Sequence, residues 1–243
     1  MIQLPIQPIS ADLYPISYSE LEWVADLEYV DEPLTSLYKI KGDSANRLYL
    51  LQWCDDEAEP MSNRWLLIPL SYGQLYLFAH NKITYLELIR QSESISFPLY
   101  LIDLTFKESF IHYQNVYAVS FQEIPPTYLP TEQELFKDMI GSETSKIMNF
   151  ISNYFRNLLS DIKRGEATKD YARLESLYQI LYETMLDIYG LHDFRYQWVA
   201  NRLASLHGLN GKIEEMNSLL RQNWSLAQVD AFSKEWEEEL ALV

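Results

Sequence analysis

Apolar positions along this chain change their repeat once, near Pro125, Pro126 and Pro130. Before the prolines they fall in short, aromatic-rich runs of strand length. After them they recur every three to four residues over helix-length segments. The segments Leu21 to Val30 and Leu34 to Ile40, parted by Asp31, Glu32 and Pro33, read as paired strands around a turn. Residues 47–53 set Leu48 and Leu50 against Tyr49, Leu51 and Trp53. Apolarity on both faces predicts a central, covered strand. Residues 64–70 give a further strand, with Trp65 and Leu67 opposite Leu66 and Ile68. Residues 72–78 suit a strand or a short helix equally. Residues 83–90 predict a helix, with Thr84 near its start and Ile83, Leu86 and Ile89 on one stripe. Residues 97–104, with Pro98 at the beginning, and residues 116–121 complete the strands.

Thr131 and Glu134 form a capping-box pattern directly after Pro130, which predicts the opening of the helical half there. Ile147, Phe150, Ile151, Tyr154, Phe155, Leu158 and Ile162 trace one face of a long helix ending at Arg164 and Gly165. Further helices are expected from Lys169 to Tyr189, from Asp193 to the glycines Gly208 and Gly211, and from Ile213 to Leu220. Ser225 and Gln228 cap a last one bearing Val229, Phe232, Trp236 and Leu240. At the other end, Pro5, Pro8 and Pro15 suggest an extended arm over residues 1–17. The expected fold class is α+β: an antiparallel-rich N-terminal sheet domain over residues 1–130, followed by a C-terminal helical domain of four to five helices over residues 131–243.

Charge changes the functional picture more than the fold. The chain has 35 acidic and 19 basic side chains and a formal charge of −16. Residues 1–130 hold 17 acids against 7 bases, and residues 131–243 hold 18 against 12. Phosphate neutralisation needs a basic stripe, so no direct nucleic-acid binding is expected. A protein partner with a basic surface is the expected complement. No stretch approaches eighteen uncharged apolar residues, so no membrane span is expected. A lone cysteine, Cys54, and an N-terminus without a basic leader point to a reducing, cytoplasmic setting.

Motifs for chemistry are missing. The four histidines, His80, His112, His192 and His207, show no metal-ligand spacing, and the run Asp55, Asp56, Glu57 and Glu59 lacks the glycine of a calcium loop. Cys54 precedes two carboxylates, which disfavour its thiolate. With seven glycines and no nucleophile elbow, neither a catalytic residue, a metal nor a cofactor is expected. His192 beside Asp193 reads as a helix cap. Two candidate partner-binding groups stand out. Arg64 beside Trp65 opens a strand in an acidic half, and pairing of Arg64 with Asp55, Asp56 or Glu57 is expected. Phe232 and Trp236 stand among Glu235, Glu237, Glu238 and Glu239, aromatic anchors in an acidic rim.

The elements Tyr29, Asp31 and Pro33, then Tyr49, Leu51 and Trp53, then Arg64, Trp65 and Pro69, followed by Leu75 and the segment Ile83 to Leu86, resemble a bacterial domain family that has no assigned function. The resemblance covers about residues 18–104. It implies accessory and not catalytic work, of the kind done by small cytoplasmic proteins near mobile-element or antiviral defence genes. The expected function is therefore a non-enzymatic, acidic accessory or regulatory protein that binds another protein. Two alternatives stand beside it. One is an inhibitor or antitoxin-like nucleic-acid mimic in a basic groove. The other is a small-molecule enzyme with a dispersed carboxylate–histidine site around His80, His112 or His192.

Overall fold

The structure, a computed structural model, describes residues 21–30, 32–41, 48–55, 62–93, 98–107, 110–139 and 144–222. Their contacts divide the chain into two units, residues 1–147 and 148–243.

The first unit is built on a six-stranded antiparallel sheet whose spatial order follows the sequence: β1 (Leu21–Val30), β2 (Glu32–Ile40), β3 (Leu48–Asp55), β4 (Ser62–Leu70), β5 (Leu99–Lys107) and β6 (Phe110–Val119). Every strand pairs with its chain neighbour, four times across a short connection and once, β4 with β5, across the segment that carries two helices. The last strand starts at Phe110, six residues earlier than the apolar pattern suggests, and stops at Val119. Three register shifts interrupt β1, between Trp23 and Ala25, between Asp26 and Glu28, and between Glu28 and Tyr29. Such bulges on an edge strand twist it away from open pairing.

Alternation assigns the two faces. Tyr49, Leu51, Leu67, Tyr100, Ile102 and Val116 form a buried cluster on one face, with Trp65 packed against it. Leu48, Leu50, Leu66, Ile68 and Leu101 are buried on the other. The two-faced burial expected of the strand at residues 47–53 is thus realised in β3.

Residues 72–79 form a helix, α1 (Tyr72–Ala79). Its deciding signal is a capping box: Ser71 Oγ accepts from Gln74 N at 3.0 Å, and Gln74 Oε1 accepts from Ser71 N at 2.9 Å. α2 (Tyr85–Ser92) is capped the same way by Thr84 and Glu87. No helix opens at Thr131. Glu134 does accept the Thr131 backbone N–H, so half of the expected box forms, but only a single 3-10 turn follows at Phe136–Asp138. The tertiary environment outweighs the local signal. Phe136, 1 % exposed, packs edge-on against Phe78 at 5.4 Å between ring centres, and its burial contributes about 2–3 kcal/mol. The backbone is held as well. Tyr85 N donates to Glu134 O at 2.8 Å, and Lys137 N to Asn81 Oδ1 at 3.0 Å. Residues 121–139 thus form a strap that belongs to the first unit.

The second unit contains α3 (Thr144–Thr168), which begins just before it, α4 (Tyr171–Tyr189), α5 (Phe194–Leu209) and α6 (Ile213–Gln222). α3 bears a buried stripe of Ile151, Phe155, Leu158 and Ile162. It runs past Gly165, and the chain turns at Lys169 with φ 55°. Gly165 therefore serves packing and not termination: a Cβ there would lie 2.9 Å from both Cγ and Cδ2 of Leu174 on α4. Asp170 caps α4, and Gly190 ends it at φ 76°, a conformation that favours glycine. Asp193 caps α5 by accepting from Arg195 N at 2.9 Å. α5 is the central helix, with Tyr196, Val199, Ala200, Leu203 and Ala204 all buried. No helix of the described residues is long and apolar enough to cross a membrane.

Candidate functional site

Arg64 and Trp65, adjacent in β4, project to opposite faces of the sheet by strand alternation. Trp65 packs on the Tyr49–Leu51–Ile102 cluster, with its indole N–H buried and, among the described residues, without an acceptor. Arg64 pairs with Asp103 of β5, whereas the side chains of Asp55, Asp56 and Glu57, its expected partners, lie outside the described residues. Nε donates to Oδ1 at 2.7 Å and Nη2 to Oδ2 at 3.1 Å, a bidentate fork across the strand pair. The register sets this partnership, because Asp103 stands directly opposite Arg64. Asp103 holds the guanidinium proton more firmly than usual, against the opposing effect of burial. Arg64 Nη1 reaches Tyr128 Oη at 3.5 Å, and Gln52 Nε2 donates to Tyr128 O at 2.8 Å. This group fastens the strap to β3 and β4.

Beside it lies a second polar group on the same face. Thr35, fully buried, donates to Glu28 Oε2 at 3.3 Å. Gln52 stands opposite Thr35 in the β2–β3 register, and its Oε1 is buried without a donor. The buried Tyr85 hydroxyl approaches Thr35 without the geometry of a hydrogen bond. Burial raises its ionisation well above the ordinary tyrosine range, and Cys54, Glu28 and Glu134 add to that. Burial also raises Glu134, with the negative charge of Glu28 adding to the effect. The arrangement is a proton-retaining environment at the junction of strap and sheet. Among the described residues no group of three or more histidine, cysteine or acidic side chains is placed to hold a metal ion.

Of the histidines named for a dispersed site, His80 and His192 fall elsewhere. His80 Nδ1 bonds to Tyr76 O at 2.9 Å at the end of α1, and His192 is exposed. The His112 side chain lies outside the described residues. Asp193 is engaged by its own helix: Arg195 Nε and Nη2 meet its two oxygens at 2.9 Å each, while the guanidinium stacks 3.5 Å above the Tyr189 ring. Burial raises the Asp193 carboxyl, but the Arg195 bonds outweigh it and hold the group below its usual range.

A cluster that the sequence does not announce joins α4, α5 and α6. Glu175 receives Lys212 Nζ and Asn210 Nδ2, and His207 Nδ1 lies 3.3 Å from Glu175 Oε1. Burial raises Glu175, and the bonds from Lys212 and Asn210 more than reverse that. His207, Asn210 and Lys212 stand 32, 35 and 37 residues from Glu175, so no local spacing marks them. The cluster's role is to close the turn into α6, where Met216 Sδ would lie 2.8 Å from a Cβ at Gly208. Among the described residues, Leu209 at the end of α5 and Ile213 and Leu220 on α6 are exposed apolar side chains, at 63 %, 51 % and 43 %.

The charge excess does not reside on this framework. The described residues hold 21 acidic and 17 basic side chains, whereas all other stretches together hold 14 and 2. Asp56, Glu57 and Glu59 belong to those stretches, as do Glu235, Glu237, Glu238 and Glu239. The candidates Phe232, Glu235, Trp236, Glu237 and Glu238 lie outside the described residues. Comparison with protein-family models, curated proteins and solved structures gives no match.

Proposed function

We propose that this chain is a non-enzymatic, acidic accessory protein that binds a protein partner with a basic surface. The observation that carries the reading is the uneven placement of charge: 14 acids against 2 bases outside the described framework, and near balance within it. Ion pairs of the framework serve the fold. Arg64 is taken by Asp103, Arg195 by Asp193 and Lys212 by Glu175. The connecting and terminal acids stand apart from those pairs in sequence, and they supply a one-signed field for a cationic surface. Phe232 and Trp236 give the acidic run near the C-terminus an apolar anchor of the type that carries binding energy.

The test is purification of the full chain from its native host at low and high salt, alongside the triple variant E235K/E237K/E238K. A stoichiometric partner with a basic surface that leaves as salt rises and is absent from the variant supports the reading. A partner retained equally by the variant at high salt overturns it.

A further inference from the structure

We infer that α6 is a self-recognition element through which two copies of this chain pair antiparallel about a twofold axis. Ile213 and Leu220 are seven residues apart, which places them two turns and about 10.5 Å apart on one edge of the helix. Both are open to solvent, while Met216 leans inward over Gly208 of α5. One position further along stand Glu214 and Arg221, also seven apart and so on one flank of that edge. Both are exposed, and neither takes part in an ion pair among the described residues.

This pattern is its own complement. Turned antiparallel, Ile213 meets Leu220 of the second copy and Glu214 meets Arg221 of the second copy, and the twofold axis repeats each contact. A parallel arrangement would set Glu214 against Glu214 and Arg221 against Arg221, which like-charge repulsion disfavours. The choice of a second copy over a basic partner follows from the local charge. Residues 148–222 carry nine acidic and nine basic side chains, so the described helices of this unit are balanced in charge, and Glu214 with Arg221 gives α6 one exposed charge of each sign. The self-pairing uses Ile213, Glu214, Leu220 and Arg221 and none of the acidic stretches assigned above to a partner. A ten-residue helix is about 15 Å long, below the span of a standard interface, so the dimer is weak and forms at about 0.1 mM.

Sedimentation of the full chain alone, from about 10 µM to about 500 µM, tests this. The expected result is a concentration-dependent monomer–dimer equilibrium. R221E and E214R each place like charges on the flank and weaken it by about tenfold, and the exchange E214R/R221E restores it to within about threefold. Because both positions are exposed, circular dichroism shows the same helix content in every variant. A wild-type monomer at all concentrations overturns the inference. So does dimerisation indifferent to both single reversals, or an exchange variant as weak as the singles.

Discussion

Replacing Arg64 with leucine should destabilise the sheet unit by about 2–3 kcal/mol, and the structure sets that figure. An exposed ion pair contributes about 0–1 kcal/mol, whereas breaking a buried one costs about 3–5 kcal/mol because the surviving charge has no partner. Arg64 and Asp103 are 29 % and 18 % exposed and are joined by two bonds, so the cost falls between those limits. The 3.5 Å approach to Tyr128 is too long to add much. For a chain of this length, 2–3 kcal/mol corresponds to a fall in Tm of about 5–10 °C. Urea unfolding followed by tryptophan fluorescence measures the loss, since Trp53 and Trp65 lie on neighbouring strands. The double variant R64L/D103L separates the pair from its setting. With both charges gone no buried carboxylate is stranded, and about half or more of the loss should return. Loss of less than about 0.5 kcal/mol in R64L, or strict additivity in the double variant, would refute the argument that the fork secures these strands.

Other outcomes follow from the same geometry. G165A should cost about 1 kcal/mol in thermal unfolding, because overpacking against Leu174 exceeds the gain in helix propensity, whereas G208A should be neutral or slightly stabilising because a methionine tip can yield. D193A should cost about 1–2 kcal/mol at neutral pH through loss of the cap and the Arg195 fork. The folded-state pKa of Asp193 is depressed, so its contribution is full above the ordinary value of 3.8 and is lost as pH falls through the lower folded value; acid titration of stability should show wild type and D193A converging there. Glu134 has the opposite sign. Its pKa is raised by burial and by Glu28, so wild type gains stability as pH falls through the folded value, and the gain is complete below 4.5. E134Q should therefore stabilise by about 0.5 kcal/mol at pH 7, after allowance for solvent screening, and by nothing below 4.5.

Much of the architecture was legible because it is local. Alternation located the strands, and four of the five strand pairs join chain neighbours across short connections, whereas β4 and β5 pair across α1 and α2. Helix ends at Thr84, Gly190 and Asp193 follow from capping chemistry, and Ser71 with Gln74 carried the same signal for α1. The misreadings arose where tertiary contacts compete with local ones. Thr131 and Glu134 have the right spacing for a helix start, yet Phe136 is drawn against Phe78 and the segment becomes a strap. Gly165 has the composition of a helix end but the position of a helix crossing. The bond from Arg64 to Asp103 spans 39 residues of sequence, and only the β4–β5 register brings the two together. Gln52, Tyr85, Glu28 and Glu134 meet from four separate segments, and no spacing rule could join them. Charge was legible in total and not in placement, since the near balance of the framework emerges only once the elements are known.

The central claim concerns where that negative charge acts, and charge reversal near the C-terminus tests it most directly. Binding of the native partner to the wild-type chain and to E235K/E237K/E238K should be compared by titration calorimetry across a series of salt concentrations. The account predicts affinity that falls steeply with salt for the wild type and is lost in the variant, with unfolding of the sheet unit unchanged. Equal affinity in both proteins, insensitive to salt, would contradict it.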